Sequence, residues 1–259
     1  MSLPAVVLAG ERPGGNDLAR HFGLPAGVLV EVAGVPCITR ALAALNASAS
    51  IQGGLLCGPD PATRATSDVI RGLLARGDFS WLPPEGGPAE SALAALESLS
   101  RYPVLMTAAD HALLTPEIVD GFCSLALGTD ADFVVGLVPY AVVRDAFPGS
   151  KRTVLTFSDG EYCGSNLFLI RTEQGARLLA FWQRIQQFRK KPWRMATAIG
   201  PGTLIGYLTG RLSLARALHT VGERAGCRVG HVEILNPRAA VDVDSLSDHA
   251  LAEQILLAC

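Results

Sequence analysis

Short apolar runs alternate with stretches of helical spacing through the first half of the chain. Ala5–Leu8, Gly53–Cys57, Val104–Thr107 and Phe133–Val138 are short and continuously apolar, which reads as strands buried on both faces. Between them, Ile38–Ala47, Ala62–Leu74, Ala89–Leu99 and Pro116–Leu125 repeat apolar residues at the helical period. That alternation predicts a parallel sheet with helices on both faces. The carboxyl ends of its strands are then where a ligand is expected.

After Val138 the rhythm changes. Arg152–Phe157 and Ser165–Ile170 read as strands around the turn Ser158-Asp159-Gly160, and Thr172–Ala225 reads as mostly helical. Val229–Ile234 and Ala240–Val243 return to strand character. Ser245, with an aspartate three residues on at Asp248, opens a last helix. No repeat or low-complexity linker divides the 259 residues, so the expectation is one α/β domain over 1–259 with a helical insertion near 172–225.

Composition narrows the classes. Hydrophobic residues make up 49% and charged residues 18%, too apolar for a disordered chain. A net charge of -2 argues against a nucleic-acid binder. The cysteines lie at 37, 57, 123, 163, 227 and 259, without a C-x-x-C pair, which points to reduced thiols in a cytoplasmic protein rather than zinc or disulfides. No apolar run is long enough to span a bilayer, and the N-terminus lacks the basic start of a signal peptide.

The most chemical stretch follows the first strand: Leu8-Ala9-Gly10-Glu11-Arg12-Pro13-Gly14-Gly15. Glycines admit positive φ, and successive backbone N–H groups in such a turn form a concavity that suits phosphate. Arg12 adds a permanent forked cation. The spacing is neither a P-loop, which needs Lys-Ser/Thr after the last glycine, nor a G-x-G-x-x-G dinucleotide turn. A tight surface turn with a solvated arginine is the plainer alternative.

Carboxylates supply the second signal. Asp110 stands at the end of the strand Val104–Thr107, and Thr115 already caps the helix that follows, so Asp110 has no evident capping duty. Magnesium is commonly held by one or two carboxylates while substrate phosphates complete the shell. Asp242 and Asp244 alternate with Val241 and Val243, which puts both acids on one side of an extended segment. They could share the ion, or Asp244 could cap the last helix while Asp242 is solvated. Lys151 in a turn could reach a phosphate, and Asn166 at the start of an apolar strand is expected to face a site or a turn. His111 beside Asp110 reads as structural or as a neighbour of a metal or phosphate. There is no G-x-S-x-G elbow and no H-E-x-x-H pair, so hydrolase and metalloprotease chemistry lack support.

Residues 183–194 hold five basic side chains and no acidic one, flanked by Trp182 and Trp193, and Ala196–Leu214 is rich in Gly, Leu, Ile and Thr with little charge. Such a segment can face anionic headgroups or a phosphorylated apolar molecule. As an acceptor lid it would place Arg189, Lys190 and Arg194 near the acceptor phosphate; a solvated surface helix is the alternative.

Taken together these motifs resemble the MobA-like nucleotidyltransferases. The loop at 8–15 is similar to L-A-G-x-R-x-G-G, Val32–Pro36 to V-x-G-x-P, Ala109–Glu117 to A-D-x-P-L-L-T-P-E, and Asp242–Asp248 to D-V-D-x-P-x-D. Gly86, Gly87 and Ser91 resemble the stretch that contacts the base. The resemblance implies a three-layer, Rossmann-like (GT-A-like) nucleotidyltransferase fold with a mixed, mostly parallel sheet. It implies transfer of a nucleoside monophosphate from an NTP to a phosphorylated acceptor, releasing pyrophosphate, with Mg2+ as cofactor; with the basic segment 183–194 the acceptor is expected to be a small-molecule or lipid-like phosphate. By position, Leu8, Ala9, Gly10, Glu11, Gly14 and Gly15 would cradle the nucleotide and Arg12 its triphosphate. Asp110 would bind the ion, with Asp242 or Asp244 as second carboxylate. Family members commonly carry a lysine where this chain has Gly27 and a proline where it has Ala112; Lys151 would replace that lysine. A nucleotide-sugar glycosyltransferase is a rival reading, although residues 108–110 lack its usual Asp-x-Asp, and a regulator weakened in catalysis at Gly27 is another.

Overall fold

The computed structural model describes residues 2–11, 14–186 and 200–258. Strand β1 (Leu3–Leu8) runs through the middle of the sheet, parallel to β4 (Ile51–Cys57) on one side and to β6 (Val104–Ala108) on the other. Its side chains show why it is apolar throughout. Ala5 and Val7 enter one core with Ile38, Leu42 and Leu45 of α2 (Cys37–Ala47) and with Ile118 and Phe122 of α6 (Pro116–Leu127). Val6 enters a second core with Ala92, Ala95 and Leu96 of α5 (Pro88–Leu99). Helices therefore cover both faces of β1, and no position of that strand is left for a polar side chain.

The remaining strands are β5 (Phe79–Leu82), parallel to β4; β7 (Phe133–Pro139); β8 (Leu155–Phe157); β9 (Gly160–Ile170); and β10 (Val229–Glu233), parallel to β7. The order is β10-β7-β9-β6-β1-β4-β5, with β8 paired to β9. Strand β9 lies antiparallel between β6 and β7, so the sheet is mixed and mostly parallel. A two-stranded hairpin of β2 (Glu31–Val32) and β3 (Val35–Pro36) precedes α2.

The helices of the C-terminal half complete the layers. Among them, α8 (Glu173–Gln186) contributes Leu178, Leu179 and Phe181 to the second core, and α10 (Leu214–Ala225) contributes Ala225. Between them α9 (Pro201–Leu208) leaves Ile205 and Leu208 exposed. The last helix, α11 (Leu246–Leu257), begins where Ser245 accepts the Asp248 N–H at 3.2 Å and donates to the Asp248 carboxylate at 2.6 Å, the reciprocal cap read from the sequence. Among the described residues no helix is long and apolar enough to cross a membrane.

Three expectations about elements are corrected. Ala62–Leu74 is two helices, α3 (Pro61–Thr66) and α4 (Asp68–Ala75), because the Ser67 hydroxyl caps a fresh start by accepting from Ile70 N–H. The strand expected from Arg152 starts only at Leu155. Ala240–Val243 is not a strand: a 3-10 turn over Pro237–Ala240 runs into an extended segment outside any ladder.

Candidate active site

A cleft of about 720 Å³ opens at the carboxyl ends of β1 and β6. Leu8, Gly10, Glu11 and Gly15 line one wall, and Asp110, Asn166, Asp242 and Asp244 another. The glycine-rich loop and the acidic motifs, far apart in sequence, thus share one cavity.

The loop is built for close approach. Ala9 N–H donates to the Cys57 carbonyl at 2.8 Å, and Ala109 N–H donates to the Leu8 carbonyl at 2.8 Å, which fixes the end of β1 between its neighbours. Gly14 and Gly15 have φ of 104° and 78°, the region glycine tolerates without strain. Arg20 of α1 (Asp17–His21) donates to the Gly14 carbonyl at 2.8 Å, so a cation missed in the sequence holds the loop. Arg12 lies outside the described residues, as do Arg189, Lys190 and Arg194.

Gly27, where the family lysine is commonly found, has a specific place. Its N–H donates to the Glu11 carboxylate at 2.6 Å. A Cβ there would meet the Asn16 side-chain amide at 2.4 Å. Asn16 is not free to move away, since its oxygen caps α1 by accepting from Leu18 and Ala19 N–H at 2.9 and 3.1 Å. The side-chain space at position 27 is therefore taken by Asn16.

The acids converge by a main-chain route. Val243 N–H donates to the Asp110 carbonyl at 3.1 Å, which ties the extended segment 241–244 to the end of β6. Val241 and Val243 are buried against Leu18, Val30 and Leu113, and this turns Asp242 and Asp244 to the cleft. The alternation read from the sequence is real, although no sheet imposes it.

Asp242 is already engaged. Arg152 donates to it at 3.0 Å, and Asn166 Nδ2 donates at 3.4 Å. The same guanidinium pairs with Asp248, and its side chain is only 7% exposed. In the sequence Arg152 is only the first residue of an expected strand; the signal for its role is the third acid of the 242–248 motif, Asp248, with which it pairs. Lys151 itself is exposed and does not line the cleft.

Asn166 is aimed by a distortion. Val135 faces Phe168 across β7 and β9, but Leu137 faces Gly164, so β9 carries extra residues opposite Gly136. Asn166 sits in this bulge at φ 51°, and Ser165 donates to the Gly136 carbonyl at 2.8 Å. A Cβ at Gly136 would lie 2.5 Å from the Ser165 hydroxyl, so the bulge needs glycine there. Bulges of this kind re-aim side chains beside sites.

Ser91 is buried, and its hydroxyl accepts from Glu85 N–H at 2.9 Å, which shapes the turn carrying Gly86 and Gly87 ahead of α5. Neither glycine lines the cleft directly; Pro88 and Ala89 do. His111 is fully buried, and burial holds its pKa down to about 4 against weaker pulls from the Arg238 carbonyl and Asp242. It is a neutral side chain behind the site rather than a cation within it. Burial, and after it the nearby Asp110 carboxylate, pushes the Cys37 thiol up to about 12. Among the described residues no three His, Cys, Asp or Glu side chains form a preassembled metal cage. The donors present are hard carboxylate oxygens, which fit magnesium when substrate phosphates supply the rest of its shell.

The family described as the MobA-like NTP transferase domain matches residues 5–156. A hypothetical transferase of Thermus thermophilus is 29% identical with a TM-score of 0.78, over 96% of this chain and 100% of that one. A 4-diphosphocytidyl-2C-methyl-D-erythritol synthase of Anaerococcus prevotii shares the fold at 11% identity and a TM-score of 0.59, over 99% and 96% of the two chains. A 2-C-methyl-D-erythritol 4-phosphate cytidylyltransferase of Thermus thermophilus does so at 15% identity and 0.55, over 98% of both. No curated protein sequence matches the chain.

Proposed function

The chain belongs to the MobA-like NTP transferase family, and from that premise we propose that it moves a nucleoside monophosphate from an NTP to a phosphorylated acceptor and releases pyrophosphate. The observation that carries this reading is the shared cleft, with a glycine-rich loop facing Asp110 and the 242–244 segment. Transfer to a phosphate nucleophile demands alignment and charge neutralisation rather than a protein nucleophile. The loop supplies N–H donors toward the NTP phosphates, with Arg12 as the cation of its motif. Gly86 and Gly87 shape the base side, and Ser91 holds their turn. Asp110 and Asp244 would hold Mg2+, and Asp242, steadied by Arg152 and Asn166, would orient beside them. Bound there, the ion would neutralise phosphate charge. Lys151 is proposed as a further phosphate contact from its turn. Buried thiols such as Cys57 and Cys123 favour a cytoplasmic setting.

The test is pyrophosphate release from each of the four NTPs with phosphorylated acceptors, paired with Mg2+-dependent thermal stabilisation by NTP. Asp110→Ala is expected to lose both signals while keeping the wild-type unfolding profile without ligand. Wild-type pyrophosphate release by that variant would overturn the assignment.

A further inference from the structure

The cleft does not end at the carboxylates. Beyond Asp110 and Asn166 it continues between the sheet and helices α8 and α10, and its lining there changes character. Val135 and Phe168 form this floor as cross-strand partners on two interior strands. Leu178 and Trp182 of α8, with Leu218 and Val221 of α10, form its roof. Apolar side chains on interior strands are normally covered completely, yet Val135 and Phe168 are only half-buried, and so are Leu218 and Val221. Their uncovered surface faces the cavity. Among the described residues, every charged side chain of the lining, Glu11, Asp17, Asp110, Asp242 and Asp244, stands at the loop and carboxylate end.

We infer that this inner half is the acceptor chamber, and that the acceptor is a phosphate monoester with an apolar body, of alkyl or isoprenoid kind. The inference rests on the nucleotidyl-transfer reading for its phosphate end and on the chamber lining for its body. A sugar or other polyol in the same place would lose its water to a lining that, among the described residues beyond the carboxylates, offers few polar side chains, Asn166 and Thr107, at about 1–3 kcal/mol for each hydroxyl left unmatched. An aliphatic body gains from the same transfer and needs no directional contact. The total cavity, about 720 Å³, lies in the upper part of the range of about 300–1,000 Å³ for small-molecule sites, room for more than a triphosphate tail. In the transfer step the acceptor's phosphate oxygen forms the new P–O bond to the α-phosphorus, the bond from that phosphorus to the bridging oxygen breaks, and pyrophosphate leaves with that oxygen.

The experiment measures calorimetric Kd values for n-alkyl phosphates from ethyl to decyl, on the full chain with Mg2+ and each NTP as its non-hydrolysable α,β-methylene analogue. The expected result is a Kd that falls about fourfold per added methylene, the increment of burying one CH2, with glycerol 3-phosphate no better than ethyl phosphate. Leu218→Gln should flatten the series and leave the Kd of the NTP analogue unchanged. Ile205→Ser/Leu208→Ser on exposed α9 should leave the series as it is. The inference is overturned if Kd is independent of chain length, if glycerol 3-phosphate matches octyl phosphate, or if the α9 variant, rather than the chamber variant, flattens the series. The wild-type series decides even if Leu218→Gln does not fold. A protein that binds the alkyl series but neither binds nor cleaves any NTP would refute nucleotidyl transfer and leave the apolar chamber standing, so the two failures are separable.

Discussion

Arg152 is the residue on which the acidic end of the site depends, and Arg152→Met isolates that dependence. The guanidinium is 7% exposed and pairs with two carboxylates, Asp242 at 3.0 Å and Asp248. Methionine keeps the apolar stem and removes the charge. Removing one partner of a buried pair costs about 3–5 kcal/mol, because the remaining charge is left buried without compensation. Asp248, 11% exposed, carries most of that penalty, although the Ser245 hydroxyl still donates to it at 2.6 Å. Asp242 is 34% exposed, so water screens its share. The lower end, about 3 kcal/mol, is therefore expected. For a chain of this size that corresponds to a fall in Tm of roughly 6–12 °C. Urea unfolding followed by tryptophan fluorescence, with scanning calorimetry beside it, reads both numbers. Asp248→Asn in the Arg152→Met background should cost less than the sum of the single changes, by about 1.5 kcal/mol, since neighbours in one network couple. A loss below about 1 kcal/mol for the single variant, or strict additivity in the double, would refute the network.

Gly27→Lys should not simply restore a family feature: its Cβ displaces Asn16 from the cap of α1, so a loss of about 1 kcal/mol in urea unfolding is expected, and an unchanged midpoint would show that Asn16 yields freely. Lys151→Ala is expected to leave stability within about 0.5 kcal/mol of wild type and to slow turnover about tenfold, about 1.4 kcal/mol in the barrier; unchanged kinetics would assign Lys151 to the solvated surface. Asp132 ties β7 to β10: its carboxyl is held down to about 2 by hydrogen bonds from Arg228, first of all from the guanidinium. Its unfolded value is near 3.8, so the contribution is whole above about pH 4 and disappears as pH falls through 4 toward 2. Because Arg228 is 68% exposed, the contribution is about 1 kcal/mol; acid-unfolding curves of wild type and Asp132→Asn should differ above pH 4 and converge near pH 2, and curves offset equally at both ends would contradict the linkage.

The strands of the first half were legible because each is apolar on both faces, as Ala5, Val6 and Val7 illustrate in dividing between two cores. Strand direction was not. The pattern of Ser165–Ile170 is the same whichever way it pairs, and only the sheet reveals that β9 runs antiparallel between β6 and β7. That Gly10, Glu11, Gly15 and Asp110 line one cleft was legible because their residue types have few structural uses in that order. Asp242 and Asp244 were located on the correct side for an incomplete reason, since burial of Val241 and Val243 turns them, not a ladder. Arg152 escaped notice because its partners lie 90 and 96 residues away in sequence. The apolar chamber escaped because its floor and roof come from four separate elements, each of which reads as ordinary core on its own. Gly27 looked like a loss, and only the position of Asn16 shows that the space is filled.

The tie between Val243 N–H and the Asp110 carbonyl is made by main-chain atoms, which nineteen of the twenty amino acids supply identically at position 243. This one tie between the two acidic segments is therefore indifferent to the side chains at 110 and 243. Asp110 or Asp244 can be exchanged for histidine, cysteine or asparagine without removing either atom of that tie. Ion preference at the proposed Mg2+ site is thus open to rewriting without redesign of this tie, and proline at 243 is the substitution that would remove the tie itself.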